Sequence, residues 1–185
     1  MNTVSKEEFV VVLDFLPNGY PFDSRTSFRK GPIAQALSKV NFTLLEIIPK
    51  QGITLQAAEE VYIGEGKRDK VHHVVGRISS ERLTQTAKGE LDILVRKLVL
   101  ECPEKFVAFF NKAGPISTRM HQIELLPGIG KKHMWEILEA RDEKPFESFE
   151  DIKTRVSLIP DPVKSIVKRI IMEINGEDKY KIFVR

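Results

Sequence analysis

In the run Leu126, Pro127, Gly128, Ile129, Gly130, Lys131, Lys132, two glycines stand one residue apart and two lysines follow directly. Glycines so spaced allow a tight turn with dihedrals closed to other residues, and they let a ligand approach the main chain. A helix starting after such a turn presents unpaired N–H groups and a partial positive charge, so acids are favoured in its first turn and bases are not. Here the first turn reads Lys131, Lys132, His133, and no acid follows until Glu136. A phosphate on the N–H groups of Gly128, Gly130 and Lys131 would supply the missing negative charge. Gly128, Ile129, Gly130, Lys131 and Lys132 are therefore the first candidate nucleic-acid-binding residues.

A second candidate surface is the basic segment Lys67, Arg68 and Lys70, with Arg77 nearby and only Glu65 and Asp69 diluting it. On a barrel loop these side chains could hold a phosphate backbone; the alternative is an ordinary solvated turn. Other chemistry is poorly supplied. His72 and His73 are adjacent, so in a strand they point to opposite faces and cannot chelate one metal together. Gly64, Gly66 and Lys67 lack the spacing and strand-to-helix context of a phosphate loop. Cys102 is the single cysteine, which excludes an intrachain disulfide, a cysteine-cluster zinc site and a four-thiolate iron–sulfur cluster. A reduced, cytoplasmic setting and no cofactor are expected.

The elements that must position these residues follow from apolar periodicity. Residues 9–16 form a valine-rich run ended by Pro17, Asn18 and Gly19, and read as a buried strand. Residues 21–31, with Arg25, Arg29 and Lys30, read as a long polar loop. The stretches 33–37, 42–48, 60–63 and 71–78 read as further strands. Five such stretches suit a small barrel, and an OB-like barrel is expected, with an SH3-like barrel or an open sheet with one helix as alternatives. Ser79 and Ser80 are placed to cap a helix beginning near Glu81, where Leu91, Leu94, Val95 and Leu98 recur at helical spacing. Pro103 opens another helix, whose Phe106, Phe109 and Phe110 stripe reads as core.

Around the glycine turn, residues 118–125 read as one helix, with Met120 and Ile123 at helical spacing, and 131–141 as the next, with Met134, Ile137, Leu138 and Arg141 on one face. Trp135 is expected in the core, ahead of stacking on a base or anchoring a partner. Residues 179–185 alternate like a final strand. Without a low-complexity linker, the middle helices are expected to tie the hairpin to the barrel. The domain plan is 1–80 for the barrel, 81–115 for connecting helices, 116–176 for the hairpin domain and 177–185 for a closing strand or tail.

Composition bounds the reading. With 42% hydrophobic and 30% charged residues, the 185-residue chain is that of a folded globular protein. No apolar run is long enough for a membrane span, and no signal peptide is expected. The formal charge of +3 is mild, so a nucleic-acid footprint must come from local clusters.

The turn and its flanking helices resemble a helix-hairpin-helix motif, a nucleic-acid-binding unit of repair, recombination and RNA-associated proteins. Lys144, Pro145, Phe146, Glu147, Ser148, Phe149, Glu150, Asp151, Ile152 is similar to the connector between tandem copies. A second hairpin then falls at Leu158, Ile159, Pro160, Asp161, Pro162, without either glycine. Pro162 has no N–H to offer and neither proline can take a left-handed backbone, so this copy is assigned a structural role. Asp161 as cap, Pro162 at the first helical position and Gly176 as stop frame the closing helix. The motif's relatives often hold a monovalent cation on turn carbonyls, which here implies those of Leu126 and Gly128; no other metal is expected.

From Glu8, Phe9, Val10, Val11 through the helices after the hairpin, the chain resembles an uncharacterised archaeal family of predicted RNA-binding proteins. The resemblance implies an α+β fold, a small OB-like barrel followed by an all-helical, tandem helix-hairpin-helix domain. It implies a cytoplasmic, sequence-tolerant binder of nucleic acid, RNA favoured over DNA, linked to translation or RNA metabolism, and brings no catalytic residue. The alternatives are a protein-interaction module acting through the degenerate second hairpin, and a repair-type DNA binder. Base-excision glycosylases use this hairpin and place a catalytic aspartate or lysine beyond it; Glu150 and Asp151 lie in that region. The stretch Ser148, Phe149, Glu150, Asp151 instead reads as a capped helix start, and the flanking glycosylase residues are absent.

Overall fold

The computed structural model describes residues 7–21 and 31–185 and is mixed α+β. The positions of Arg25, Arg29 and Lys30 in the expected loop lie outside the described residues. The chain forms two compact units: Met1–Leu94 with Ile174–Glu177 and Phe183–Arg185, and Val95–Glu173 with Asp178–Ile182.

The first unit is built on a curled, all-antiparallel five-stranded half-barrel sheet. Its strands are β1 (Phe9–Leu16), β2 (Ile33–Ser38), β3 (Leu44–Pro49), β4 (Glu60–Tyr62) and β5 (Val71–Arg77), in the order β4-β1-β2-β3-β5. Val10, Val12, Ala34, Ala36, Leu45 and Ile47 form one core layer. Val11, Leu13 and Leu37, pointing the other way, are buried as well. Burial on both sides explains why β1 carries an unbroken apolar run from Val10 to Leu13 rather than an alternating one. The expected barrel is open, with β4 and β5 as the two edges. Register shifts at Val12/Asp14, Glu46/Ile47 and Ile48/Pro49 supply the local bends that curl it.

Gln35 and Glu46, opposite each other on β2 and β3, are buried polar residues. The Gln35 amide donates to the Arg82 carbonyl (2.8 Å) and the Tyr20 hydroxyl (2.9 Å) and accepts the Thr84 N–H (2.9 Å). Tyr20 in turn donates to Glu46 at 2.9 Å. Burial, reinforced by Glu46, pushes the Tyr20 phenol up to about 12, so it stays a donor across the physiological range. This network seats the entry to α1 (Gln85–Glu101). The expected helix start at Glu81 is corrected to this point, since residues Ser80–Arg82 make only a 3-10 turn and the Ser79 side chain caps nothing. The cap is Thr84, whose hydroxyl accepts the Ala87 N–H at 3.0 Å and donates to Asp14 at 2.6 Å.

The second unit contains α2 (Pro103–Lys112), opened by proline as expected, with Phe106 and Phe110 buried. The helix expected over 118–125 is replaced by a two-stranded ladder, β6 (Pro115–Ser117) and β7 (Met120–His121), and a 3-10 turn at Gln122–Leu125. A capping box breaks the run: His121 Nδ1 accepts the Ile123 N–H at 3.2 Å and Glu124 accepts the His121 N–H at 2.8 Å. Burial holds the His121 imidazole below its ordinary range, which keeps Nδ1 an acceptor.

Three helices follow, α3 (Lys131–Glu143), α4 (Phe149–Arg155) and α5 (Pro162–Asn175). Ser148 caps α4 and Asp161 caps α5, the latter accepting the Lys164 N–H at 2.9 Å. Gly176, at φ +70°, ends α5 as expected. The closing strand is not formed: residues 179–185 are irregular, and the Arg185 N–H donates to the Asn41 carbonyl at 3.1 Å.

Candidate nucleic-acid interface

The turn before α3 is built as its glycines suggest. Gly128 stands at φ +87°, and the Ile129 N–H closes the turn onto the Leu126 carbonyl at 3.0 Å. A Cβ on Gly128 would lie 3.2 Å from Pro160 Cγ, so the second hairpin packs where only glycine fits. From α5, Ser165 donates to the Pro127 carbonyl at 2.9 Å and Arg169 to the Leu125 carbonyl at 3.3 Å. Arg169 is itself buried, pairing with Glu173 and Asp178 at 2.8 Å each and donating to the Tyr180 carbonyl. The turn is therefore held from beneath through its carbonyls, which leaves its N–H groups outward.

Gly130 is the N-cap of α3 and offers no side chain to the first turn, which carries no acid. Among the described residues, the N–H groups of Gly128, Gly130, Lys131 and Lys132 have no acceptor within the chain. Lys131 and Lys132 are exposed, the latter with Glu136 at 3.8 Å. Ile129 differs from its neighbours in the predicted set. Its side chain is 4% exposed and its N–H is engaged, so it anchors the turn rather than facing a ligand. Of the carbonyls considered for a monovalent cation, that of Leu126 accepts the Ile129 N–H. The Arg169 guanidinium stands at the neighbouring Leu125 carbonyl, lining a groove of about 410 Å³ with Gly128, Met172 and Asp178.

The basic segment of the first unit is a locked turn. Arg68 donates to the Gly64 carbonyl at 2.9 Å, Lys50 donates to the Arg68 carbonyl, and Lys70 pairs with Glu59. That Lys70 contact holds Glu59 below the usual carboxylate range. Tyr62 closes over the glycines, its hydroxyl accepting the Gly66 N–H at 3.1 Å and lying 2.3 Å from where a Gly64 Cβ would stand. Lys67 is exposed and, among the described residues, has no partner within the chain. His72 and His73 are both exposed, and no group of three metal-ligating side chains occurs among the described residues.

Of two further residues, Asp151 takes part in the capped helix start expected of its stretch, and Trp135 departs from expectation. Asp151 accepts the Glu147 N–H at 3.0 Å, which holds its carboxyl below the ordinary range, and it pairs with Arg155 at 3.3 Å. It works as a capping carboxylate. Trp135, expected in the core, is 65% exposed, because Met134, Ile137 and Ala140 form the buried face of α3 and residue 135 falls off that stripe. The exposed indole is the feature periodicity misjudged; the offset of 135 from that stripe was the available signal.

Residues 6–185 match a family described as a protein of unknown function (DUF655). The chain belongs to this family. A DUF655-type relative, uncharacterized protein MJ0038 of Methanocaldococcus jannaschii, is 46% identical over 181 residues, covering 97% of this chain and 80% of that protein. The crystal structure of Af1531 from Archaeoglobus fulgidus, also assigned to DUF655, superposes with a TM-score of 0.86 at 47% identity, covering 97% of this chain and all of that one. The 97% of this chain matched to that structure takes in residues of both units. Among the described residues, no helix is long and apolar enough to cross a membrane.

Proposed function

We propose that this DUF655 chain binds nucleic acid, RNA in preference to DNA, through backbone phosphates at the turn before α3, in translation or RNA metabolism. The observation that carries the reading is an acid-free helix start with two exposed lysines, where the N–H groups from Gly128 to Lys132 other than that of Ile129 have no acceptor within the chain among the described residues. Such a constellation accepts a phosphate with N–H groups, helix dipole and ammonium charge acting together. Phosphate contacts carry no base information, so discrimination among sequences is weak. The preference for RNA rests on the family resemblance.

In this reading α3 and α5, each entered through its own turn, are tandem helix-hairpin-helix copies. The first copy has a 3-10 turn in place of its leading helix, and the second packs its Pro160 on Gly128. The half-barrel is an OB-like sheet left open between β4 and β5, with Lys67 on a loop between those strands.

The test is a fluorescence-anisotropy titration of the full chain against labelled single- and double-stranded RNA and DNA. Lys131→Glu with Lys132→Glu is expected to weaken binding at least tenfold at low salt, on the order of 1.4 kcal/mol or more. Unchanged affinity would overturn the assignment and favour protein docking at the second turn, where Leu158 is 87% exposed at φ +55°.

A further inference from the structure

We infer that Trp135 is a stacking platform for an unpaired nucleobase, so that the ligand of the α3 turn is a single strand, or the unpaired end or loop of a folded one. This rests on the phosphate-binding reading above and adds the class of nucleic acid it selects. Trp135 is the only tryptophan in the chain and the indole stands open to solvent. Among the described residues, no ring, cation or hydrogen-bond partner within the chain meets it. A side chain of this size left uncovered is the informative exception to apolar burial, and Trp is the residue best suited to a face-on aromatic contact.

Its position selects the occupant. Trp135 follows Lys131 by four residues and Lys132 by three, the spacings that bring helical side chains onto one side. It lies about 6 Å along the axis from Lys131, and helical side chains lean toward the N-terminus. The indole therefore covers the surface next to the open N–H groups, adjacent to any phosphate they hold. Beyond it the charge reverses, through Glu136, Glu139, Asp142 and Glu143. A polyanion can meet the N-terminal end of α3 but cannot follow the helix onward, so the footprint is short: a phosphate at the turn and a neighbouring base on the indole. A base inside a duplex has both faces covered by its neighbours and cannot stack this way; an unpaired base can, whatever its identity.

Because Trp135 is the sole tryptophan, its intrinsic fluorescence reports on the site without a label. Titration of the full chain with short oligouridylate or oligoadenylate is expected to quench it, and titration with a blunt RNA duplex is not. Trp135→Ala, which removes an exposed side chain and leaves the circular dichroism unchanged, is expected to weaken single-strand binding about tenfold with duplex binding unaltered. Trp135→Phe restores part of the loss. Equal quenching by the duplex, or single-strand affinity unchanged in Trp135→Ala, would overturn the stacking role, while a loss with Lys131→Glu and Lys132→Glu would leave the phosphate site standing. Charge reversals without effect would instead remove the phosphate reading and this inference with it. So would the absence of binding by either ligand, which leaves the indole as a contact for a protein.

Discussion

Gly128 and Gly130 are one residue apart, yet they hold the turn in different ways. Gly128 combines a left-handed backbone with the close approach of Pro160, whereas Gly130 has φ −93° and open space where a Cβ would stand. An alanine at 128 meets the left-handed penalty, about 1–2 kcal/mol, and a contact that the proline ring must yield to. Gly128→Ala is thus expected to lower stability by about 1–2 kcal/mol in urea unfolding and to weaken nucleic-acid binding as the turn re-forms. Gly130→Ala is expected to change stability by less than half of that. Equal losses at the two positions would mean that the left-handed turn is not what the glycines provide.

At the level of elements, the helical unit is held by arginines that reach back to carbonyls at the ends of helices and turns. Arg141 donates to the carbonyls of Phe110 (3.0 Å) and Ala113 (2.8 Å) at the end of α2. Arg155 donates to those of Ala140 and Lys144 at the end of α3, with its guanidinium 4.8 Å from the Phe146 ring centre. Arg169 serves the carbonyl just before the glycine turn, and it is the demanding case, at 1% exposure beside Glu173 at 0%. A buried pair of this kind adds little over an apolar substitute, but breaking it from one side strips a buried charge of part of its compensation, here leaving Arg169 with Asp178 as its carboxylate. Glu173 also accepts the Ile182 N–H at 3.0 Å, so its removal frees the closing segment too. Glu173→Ala is expected to destabilise the protein by about 3 kcal/mol, read as a lowered denaturation midpoint.

For the whole molecule the governing quantity is the mild net charge of +3. It gives little long-range steering, so binding depends on contacts at the turn and the ionic strength at which they are measured. With about two to three phosphates neutralised, the logarithm of single-strand affinity is expected to fall with the logarithm of salt at a slope of about −2. A slope steeper than about −5 would mean that a basic surface well beyond Lys131 and Lys132 is engaged. The match to archaeal relatives spans both units, at 46–47% identity over 97% of the chain. Assays should therefore use the full chain.

What the sequence by itself determined was local. The strands of the first unit, the proline starts of α2 and α5, the caps at Ser148 and Asp161, and the glycine turn before an acid-free helix are encoded within a few residues, through propensity, capping and backbone freedom. Only the tertiary structure decided matters that depend on partners distant in the chain. Thr84 became the cap of α1 because Gln35 and Asp14, on two different strands, receive it. The expected helix at 118–125 gave way to a ladder and a capping box, since short segments of this kind take the form their local hydrogen bonds favour. Gln35 and Glu46 are buried in one polar network of the first unit, and Arg169 in a separate one with Glu173 and Asp178, each built from partners that packing supplies. Trp135 and Ile129 are both apolar, and residue type alone does not rank them. Trp135 lies off the stripe of α3 that met the core and stayed in solvent, whereas the turn before that helix sealed Ile129, because burial is a property of the packed surface and not of the residue.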